Sequence, residues 1–157
     1  MATKTNAVRL VQQAGILCRE AFYEFDEQDL SGVHAAQAIG MPEEQVFKTL
    51  VARGEKTGIN VFCIPVCCEL DLKKAAKAAG DKNMELVAVK ELLGLTGYIR
   101  GGCSPVGMKK HYPTFIDETC TLWDEIAVSA GARGHQMIVP PQPLADLVGA
   151  ELTDIIV

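Results

Sequence analysis

The sequence predicts one α+β domain, in which a curved mixed sheet or barrel-like core carries helices on its outside. Three observations support this class. The 157 residues are the length of a single domain that buries a hydrophobic core without disulfides. Strand patterns outnumber helical patterns and come in runs instead of alternating strictly with helices. No repeat, low-complexity segment or linker divides the chain, so residues 1–157 are predicted to form one unit.

The first half of the chain is predicted to contain two helices, extended pieces and a hairpin. Thr5 or Asn6 is a suitable N-cap for the first helix, which ends at Gly15. Ser31 begins the second helix, which ends at Gly40. The other predicted elements, in order, are extended pieces at residues 16–18 and 21–25, a turn at 41–45, and hairpin strands at 46–52 and 59–66.

The second half is predicted to contain three more helices and most of the remaining strands. Asp71 is the N-cap of a helix at residues 72–79, and Gly94 ends a short helix at 89–93. Three prolines at 140–143 begin the last helix, at 144–148. The predicted strands are residues 84–87, 114–116, 125–128 and 137–139 and a final apolar strand through residue 157.

Composition excludes several classes of protein. The chain is 48% hydrophobic and 22% charged, and no apolar run approaches the roughly 18 residues that span a membrane. The first residues contain no apolar stretch typical of a signal peptide, so we expect a cytoplasmic protein. The six cysteines lack the spacing of a zinc site, and most are expected to be buried free thiols.

The charge of the chain is unevenly distributed. The net charge is −5, yet residues 73–110 carry 8 basic and only 3 acidic groups. This basic third lies between two acidic ones. Such a patch attracts a polyanion while the rest of the surface repels non-specific contacts.

A glycine-rich stretch at residues 96–110 lies in this basic third. Four glycines together with Ser104 and Pro105 exclude a helix or strand, so the stretch is predicted to be a loop. Glycines leave backbone N–H groups accessible, and the flanking cations favour a phosphate or an ester carbonyl as ligand. A turn without a ligand is equally compatible with this composition.

Lys48 occupies an unusual position in the predicted hairpin. On a strand it shares a face with Val46, Leu50 and Ala52, and lysine is rarely found on a core-facing side. Two interpretations are open. Lys48 either lies at a strand end with its ammonium group in water, or it has a function inside a pocket.

Common catalytic motifs are absent from the sequence. Ser104 lacks the Gly-x-Ser-x-Gly elbow, and the three histidines have no motif neighbours, which argues against a serine triad. The glycine-rich stretch is neither a Walker A loop nor a dinucleotide fingerprint. Cys103 is the one thiol inside the predicted ligand loop, so a cysteine nucleophile stays open.

Five segments together resemble one known family. The matching residues are Phe47-Lys48-Thr49-Leu50, then 70–77, 96–98 with 101–107, 128–129 and 133–134. In this order they resemble the YbaK/EbsC family of bacterial aminoacyl-tRNA deacylases, which is related to the editing insertion domain of prolyl-tRNA synthetase. The resemblance covers nearly the whole chain and implies the editing-domain fold.

The resemblance implies hydrolysis, in trans, of the ester in mischarged Cys-tRNA(Pro), with no cofactor, no metal and no protein nucleophile. In the cysteine-specific branch the thiol of the substrate is expected to attack its own ester carbonyl. Alternatives are removal of another small amino acid, alanine or serine, and a non-catalytic tRNA-binding or synthetase-associated module. The implied partners are the acceptor end of tRNA(Pro) and prolyl-tRNA synthetase, with no membrane.

Residue roles carry over position by position. Lys48 matches the essential lysine of the family, and the backbone amides of Gly101 and Gly102 match the loop that holds the acyl carbonyl. The residues expected to bind substrate are Tyr23, Thr49, Cys103, Ser104, Pro105 and Ser129. The basic residues expected to bind tRNA are Lys73, Lys74, Lys77, Arg100, Lys109 and Lys110.

The chain departs from the family pattern in two places. It reads Tyr23-Glu24-Phe25-Asp26 where many members have a different polar pair beside the early tyrosine. Gly134 is followed by His135-Gln136 where apolar or acidic residues are more usual. Both departures bear on which amino acid is selected.

Overall fold

The computed structural model describes residues 4–157, which contain five α-helices, two short 3-10 turns and eight strands. The helices are α1 (Asn6–Gln13), α2 (Gly32–Ile39), α3 (Leu72–Ala79), α4 (Val89–Thr96) and α5 (Pro141–Val148). The strands are β1 (Arg19–Phe22), β2 (Phe47–Gly54), β3 (Gly58–Pro65), β4 (Met84–Leu86), β5 (Thr114–Asp117), β6 (Ile126–Ala132), β7 (His135–Val139) and β8 (Glu151–Thr153). The 3-10 turns are Glu43–Gln45 and Glu118–Leu122.

The strands form two sheets. A three-stranded antiparallel sheet has the order β1-β7-β6, and a five-stranded mixed sheet has the order β4-β2-β3-β5-β8. In the larger sheet β5 runs parallel to both of its neighbours. A single bridge between Val46 and Ala127 links the sheets. The predicted α+β class is confirmed, and the core consists of two sheets that do not close into a barrel.

The core lies on both faces of the larger sheet. One cluster packs α1 and α5 against the inner faces of the sheets and includes Val11, Met137 and Leu144. A second cluster packs Ala75 and Ala76 of α3 against the opposite face. Covering both faces explains why β3 is nearly continuously apolar instead of alternating.

Most predicted helix ends are confirmed because capping is local chemistry. The hydroxyl of Thr5 accepts the Val8 N–H at 3.2 Å, and Ser31 accepts the His34 N–H at 3.2 Å. The Asp71 carboxylate accepts the N–H groups of Lys73 and Lys74. These side chains replace the partners that the first turn of a helix lacks.

Several predicted boundaries are wrong. The strand predicted at 125–128 is β6, which continues to Ala132, and the last helix begins at Pro141 instead of Leu144. Gly94 does not end α4, which continues to Thr96 and ends at Gly97 with φ of 85°. The extended pieces at 16–18 and 21–25 give way to one strand, β1, set by its pairing with β7. The final strand does not continue to residue 157 but ends at Thr153. Two residues later the Ile155 N–H donates to the Asp117 carboxylate at 3.0 Å instead of to a neighbouring strand.

Candidate functional site

The main cavity, of about 540 Å³, lies along an open edge of β2 between the two sheets. β2 pairs with β4 only at residues 52–54, so the earlier part of this edge has no neighbouring strand. Most of the wall comes from four parts of the chain, and single residues elsewhere complete it. The four parts are Val46 with residues 47–51 of β2, residues 30–35 at the start of α2, residues 86–92 around the start of α4, and the glycine-rich loop at 100–103. The single residues are Tyr23, Val66, Ser129 and Gln136.

The backbone of Thr49 faces this cavity. The Val51 carbonyl accepts the Val87 N–H at 3.0 Å, on the side of β2 away from β3. Backbone polar groups two residues apart on a strand point to the same side, so the N–H and C=O of Thr49 also point away from β3. No strand in residues 4–157 pairs with Thr49 there. The cavity therefore contains an unpaired backbone donor and acceptor.

Lys48 and Arg100 supply the positive charge of the cavity. Lys48 is half-buried in the wall and forms no salt bridge within residues 4–157. Arg100 is exposed at the glycine-rich loop. Among the described residues that line the cavity, none is an aspartate or a glutamate. Two cations without a carboxylate make the cavity suitable for an anion such as a phosphate group.

Gly101 and Gly102 have different surroundings. Gly101 lines the cavity with φ of 86°, and its N–H has no hydrogen-bond acceptor in the described part of the chain. The Gly102 N–H donates to the Ile99 carbonyl at 3.0 Å, and a Cβ at Gly102 would lie 3.1 Å from the backbone of Ala132. The expectation that the Gly102 amide binds an acyl carbonyl does not fit this geometry, because the amide is already used inside the loop.

Cys103 lines the cavity but is a poor nucleophile. Its side chain is buried, and burial raises the pKa of the thiol to about 12, although a hydrogen bond with the Thr96 hydroxyl acts in the opposite direction. The reactive form of cysteine is the thiolate. At neutral pH this thiol is protonated. The geometry favours Cys103 as a wall residue whose backbone N–H has no hydrogen-bond acceptor within residues 4–157.

The remaining expected substrate-binding residues divide between the cavity and the protein interior. Tyr23, Thr49 and Ser129 line the cavity. Ser104 is fully buried, and its hydroxyl accepts the Val106 N–H at 3.2 Å. Pro105 lines a separate, smaller cavity of about 180 Å³. Ser104 and Pro105 thus shape the loop instead of contacting a ligand in the main cavity.

Of the basic residues expected to bind tRNA, Arg100 alone lines the main cavity. Lys73 and Lys77 are exposed on α3, which packs on the outer face of the larger sheet. Lys74 is engaged with the Asp154 carboxylate at 2.9 Å and the Ile156 carbonyl at 2.8 Å. Lys109 donates to the Gly94 carbonyl at 3.3 Å, and Lys110 borders the smaller cavity. These six residues thus lie on separate elements, three on α3 and three in the glycine-rich stretch, and binding of tRNA by them stays a prediction.

Gln136 is a cavity residue that the predicted site did not include. It is 6% exposed, and its Oε1 has no hydrogen-bond partner within residues 4–157. It lies opposite Ser129 in the β6–β7 register and also lines the cavity. A buried polar atom without a partner costs about 1–3 kcal/mol. The sequence marks positions 135–136 as unusual, but only the strand register puts Gln136 in the cavity wall.

The neighbouring His135 contacts other residues of the fold and does not line the cavity. Its Nε2 lies 2.9 Å from the Glu20 carboxylate, and its ring stacks on Phe22 with centroids 4.2 Å apart. Consecutive residues of a strand point to opposite faces, so His135 faces away from the cavity that Gln136 lines. Within residues 4–157 no cluster of three His, Cys, Asp or Glu side chains is arranged to hold a metal ion. No helix in this part of the chain is long and apolar enough to cross a membrane.

Comparisons with known proteins identify the family of the chain. Residues 30–147 match the family described as the aminoacyl-tRNA editing domain. A protein of Enterococcus faecalis named as a candidate Cys-tRNA(Pro)/Cys-tRNA(Cys) deacylase, EbsC, is 44% identical over 152 residues, which cover 97% of this chain and 93% of that protein.

Solved structures give the same fold. A candidate trans-editing enzyme for prolyl-tRNA synthetase superposes with a TM-score of 0.80 at 28% identity and covers 99% of both chains. The hypothetical protein APE2540 superposes with a TM-score of 0.85, covering 95% of this chain and 97% of its own. Its identity is 21%, so it supports the fold alone.

Proposed function

The chain belongs to the aminoacyl-tRNA editing domain family, and we propose that it hydrolyses the ester of mischarged Cys-tRNA(Pro) in trans. One observation carries the proposal. Among residues 4–157, one cavity is lined by Lys48 and Arg100, by residues whose backbone N–H groups have no acceptor, and by no carboxylate. The 3′ end of an aminoacyl-tRNA combines a phosphate, an ester carbonyl and a small side chain, and each has a complementary group in this cavity.

The cations are proposed to hold the phosphate-bearing end of the substrate. Lys48 is the central group because it lines the cavity as an unpaired ammonium and matches the essential lysine of the family. Arg100 lies at the exposed rim, where a guanidinium contacts a phosphate from solvent. Electrostatic stabilisation of this kind is strongest where water is excluded, which favours Lys48 over Arg100 for the chemical step.

The ester carbonyl is proposed to accept hydrogen bonds from the backbone of the glycine-rich loop. The N–H groups of Gly101 and Cys103 have no acceptor within residues 4–157, in contrast to that of Gly102. Donors fixed in advance stabilise the negative charge that develops on the carbonyl oxygen during attack. Thr49 adds a further unpaired backbone N–H at the opposite wall.

The nucleophile is proposed to come from the substrate. The cysteine sulfur bonds to its own ester carbon, the bond from that carbon to the ribose oxygen breaks, and the thiol proton passes to the leaving oxygen. Water then opens the resulting thiolactone. Holding the thiol near the carbonyl supplies several kcal/mol of the barrier. The high pKa of the Cys103 thiol supports this route over attack by the protein.

Recognition of the tRNA is proposed to depend on prolyl-tRNA synthetase. Of the basic residues expected to bind tRNA, Arg100 alone lines the cavity, and Lys74 is engaged with Asp154. We therefore expect the protein to contact little of the tRNA body and the synthetase to supply the missing specificity. This proposal puts the reaction in the cytoplasm, where tRNA is aminoacylated.

The direct test is to incubate the protein with tRNA(Pro) charged separately with cysteine, alanine and serine. We expect rapid loss of cysteine and slow loss of alanine and serine, because only cysteine carries the attacking thiol. Faster release of alanine or serine would identify a different substrate. Release of none of the three would favour a non-catalytic tRNA-binding module.

A further inference from the structure

Two adjacent cysteines lie in the turn that follows β3, outside every role assigned to the main cavity. The Cys68 N–H donates to the Pro65 carbonyl at 3.0 Å and closes the turn. The sulfur atoms of Cys67 and Cys68 are 3.8 Å apart. Cys67 is exposed and Cys68 is partly buried. The pair is therefore accessible to a small oxidant, and its two sulfurs are already in contact.

We propose that Cys67 and Cys68 form a modification site, a vicinal dithiol that a peroxide oxidises reversibly to a disulfide. The sulfur of the exposed Cys67 attacks one peroxide oxygen, the O–O bond breaks, and a sulfenic acid and one water form. The Cys68 sulfur then attacks the Cys67 sulfur, the S–O bond breaks, and the leaving hydroxide takes the Cys68 proton as a second water. Two thiols and one hydrogen peroxide thus become one disulfide and two waters.

The surroundings of the two thiols set the order of these steps. Partial burial and then the hydrogen bond with Cys67 raise the pKa of the Cys68 thiol to about 11. Cys68 is thus the protonated, shielded partner, and Cys67 meets the oxidant first. The nearby Cys63 does not compete, because burial raises the pKa of its thiol to about 12.

Ring closure between neighbouring residues makes the disulfide easy to reduce. Adjacent Cα atoms are about 3.8 Å apart across a trans peptide, whereas disulfides favour about 4.4–6.8 Å. The ring is strained, and strained, exposed disulfides have the more oxidising potentials of reversible sites. A thiol-reducing environment therefore restores the dithiol after the oxidant is removed.

The turn is connected to the main cavity. Val66, the residue before Cys67, lines the cavity, and its N–H donates to the Val46 carbonyl at 2.8 Å. The charge of Lys48 acts on the Cys68 thiol, so the two groups lie within electrostatic range. Distortion of the turn by ring closure thus reaches the wall that holds Lys48. This link rests on the proposed function, and oxidation is expected to slow deacylation several-fold.

The disulfide is tested on the full, reduced protein with stoichiometric hydrogen peroxide, by intact mass and by counting free thiols after denaturation. Wild type and a Cys18→Ser control, changed at a half-buried thiol elsewhere, are expected to lose two hydrogen atoms and two thiols, restored by dithiothreitol. Cys67→Ser and Cys68→Ser each lack one of the two sulfurs, so neither variant is expected to show the loss of two hydrogen atoms. The proposed disulfide would be refuted if wild type kept both hydrogen atoms, or if Cys67→Ser or Cys68→Ser still lost two.

The link to the cavity is tested by measuring Cys-tRNA(Pro) deacylation after the peroxide has been removed. A slower rate in oxidised wild type, reversed by dithiothreitol and absent in Cys67→Ser, supports it, and an unchanged rate overturns it. If the reduced protein releases no cysteine, the proposed function fails, while the mass measurement still decides whether the disulfide forms.

Discussion

At the residue level, the cavity combines cationic side chains with neutral hydrogen-bonding groups. Lys48 and Arg100 provide charge, whereas Thr49, Ser129 and Gln136 provide neutral polar groups. Ser129 already accepts the Gly131 N–H at 3.1 Å, and Thr49 Oγ1 lies 3.7 Å from the Cys63 sulfur. The Gln136 amide oxygen is the group without a partner in the described residues. We therefore expect this buried oxygen to accept a hydrogen bond from a substrate donor such as the α-ammonium group once the substrate occupies the cavity.

Gln136→Leu is expected to lower the deacylation rate without lowering the stability of the fold. Removing an unpaired buried amide leaves the free energy of unfolding unchanged or raises it by up to about 1 kcal/mol. Loss of a hydrogen bond to a charged donor is expected to lower kcat/KM for deacylation about tenfold or more. Urea unfolding and steady-state kinetics measure the two effects.

The matched control for this prediction is Gln142→Leu. Gln142 lies on α5, where its amide donates to the Asp146 carboxylate at 2.9 Å in an exposed position. That variant is expected to keep its kcat/KM. A Gln136→Leu protein that is destabilised yet fully active would show that the amide serves the fold and not the substrate.

Cys103→Ala is expected to retain deacylase activity. The thiol has a pKa of about 12 and stays protonated across the working range, so no ionisation of Cys103 contributes to the rate. The pH profile of kcat/KM should be the same for the variant and the wild type between roughly pH 6 and 9. A loss of activity with intact folding would instead indicate a covalent intermediate on the protein.

At the element level, local chemistry decides the ends of helices and long-range packing decides their length. Ser31 and Asp71 could be assigned from the sequence because a capping side chain acts within three residues. Gly94 misled the prediction, since glycine usually ends helices. Here Leu92 and Leu95 pack α4 against the larger sheet, and this packing offsets the cost of about 1 kcal/mol for an internal glycine.

The β2–β3 hairpin depends on a carboxylate from outside the hairpin. Burial pushes the pKa of Asp81 upwards, but the hydrogen bond from the Thr57 hydroxyl and those from the N–H groups of Thr57, Lys82 and Lys56 outweigh it and hold the pKa well below its usual range. Thr57 donates to Asp81 at 2.7 Å through both its N–H and its hydroxyl. Because β2 carries Lys48, this carboxylate helps to fix the strand that forms the cavity.

Asp81→Asn is expected to reduce the loss of folding stability that occurs as the pH falls into the acid range. The pKa of Asp81 is lower in the folded than in the unfolded state, so its contribution is present above the unfolded value of about 4 and is lost as the pH falls below it. Thermal unfolding between roughly pH 6 and 2 measures this loss. Wild type should lose more stability than the variant over this range, and equal slopes would contradict the role of Asp81.

At the level of the whole molecule, the cavity exists because two sheets meet at one bridge and then separate. Val46 and Ala127 join them, and β2 then runs on with an open edge. Strand patterns in the sequence predict the α+β class but not this arrangement, because sheet order depends on contacts between distant residues. Arg133 and Arg100 illustrate the point, since the Arg133 Nε donates to the Arg100 carbonyl at 2.9 Å although the two residues are 33 positions apart in the sequence.

The same limit explains which site residues were predictable. The sequence drew attention to Lys48, because a lysine among apolar strand neighbours is unusual, and to Gly101, because glycines leave the backbone open; both residues line the cavity, and their roles stay predictions. Ser104 and Pro105 belong to the same motif, yet the turn of the loop buries one and directs the other to a different cavity. Motif membership predicts the loop, and the folded backbone decides which of its atoms reach a ligand.

The main cavity is proposed to hydrolyse Cys-tRNA(Pro) through the charge of Lys48. The most direct measurement is the rate of cysteine release from Cys-tRNA(Pro) by wild type and Lys48→Ala at equal concentration, with Lys73→Ala on α3 as the matched control. We expect Lys48→Ala to fold normally by circular dichroism and to release no cysteine above the uncatalysed rate, while Lys73→Ala keeps the wild-type rate of chemistry under saturating enzyme. Full activity in Lys48→Ala would contradict the account.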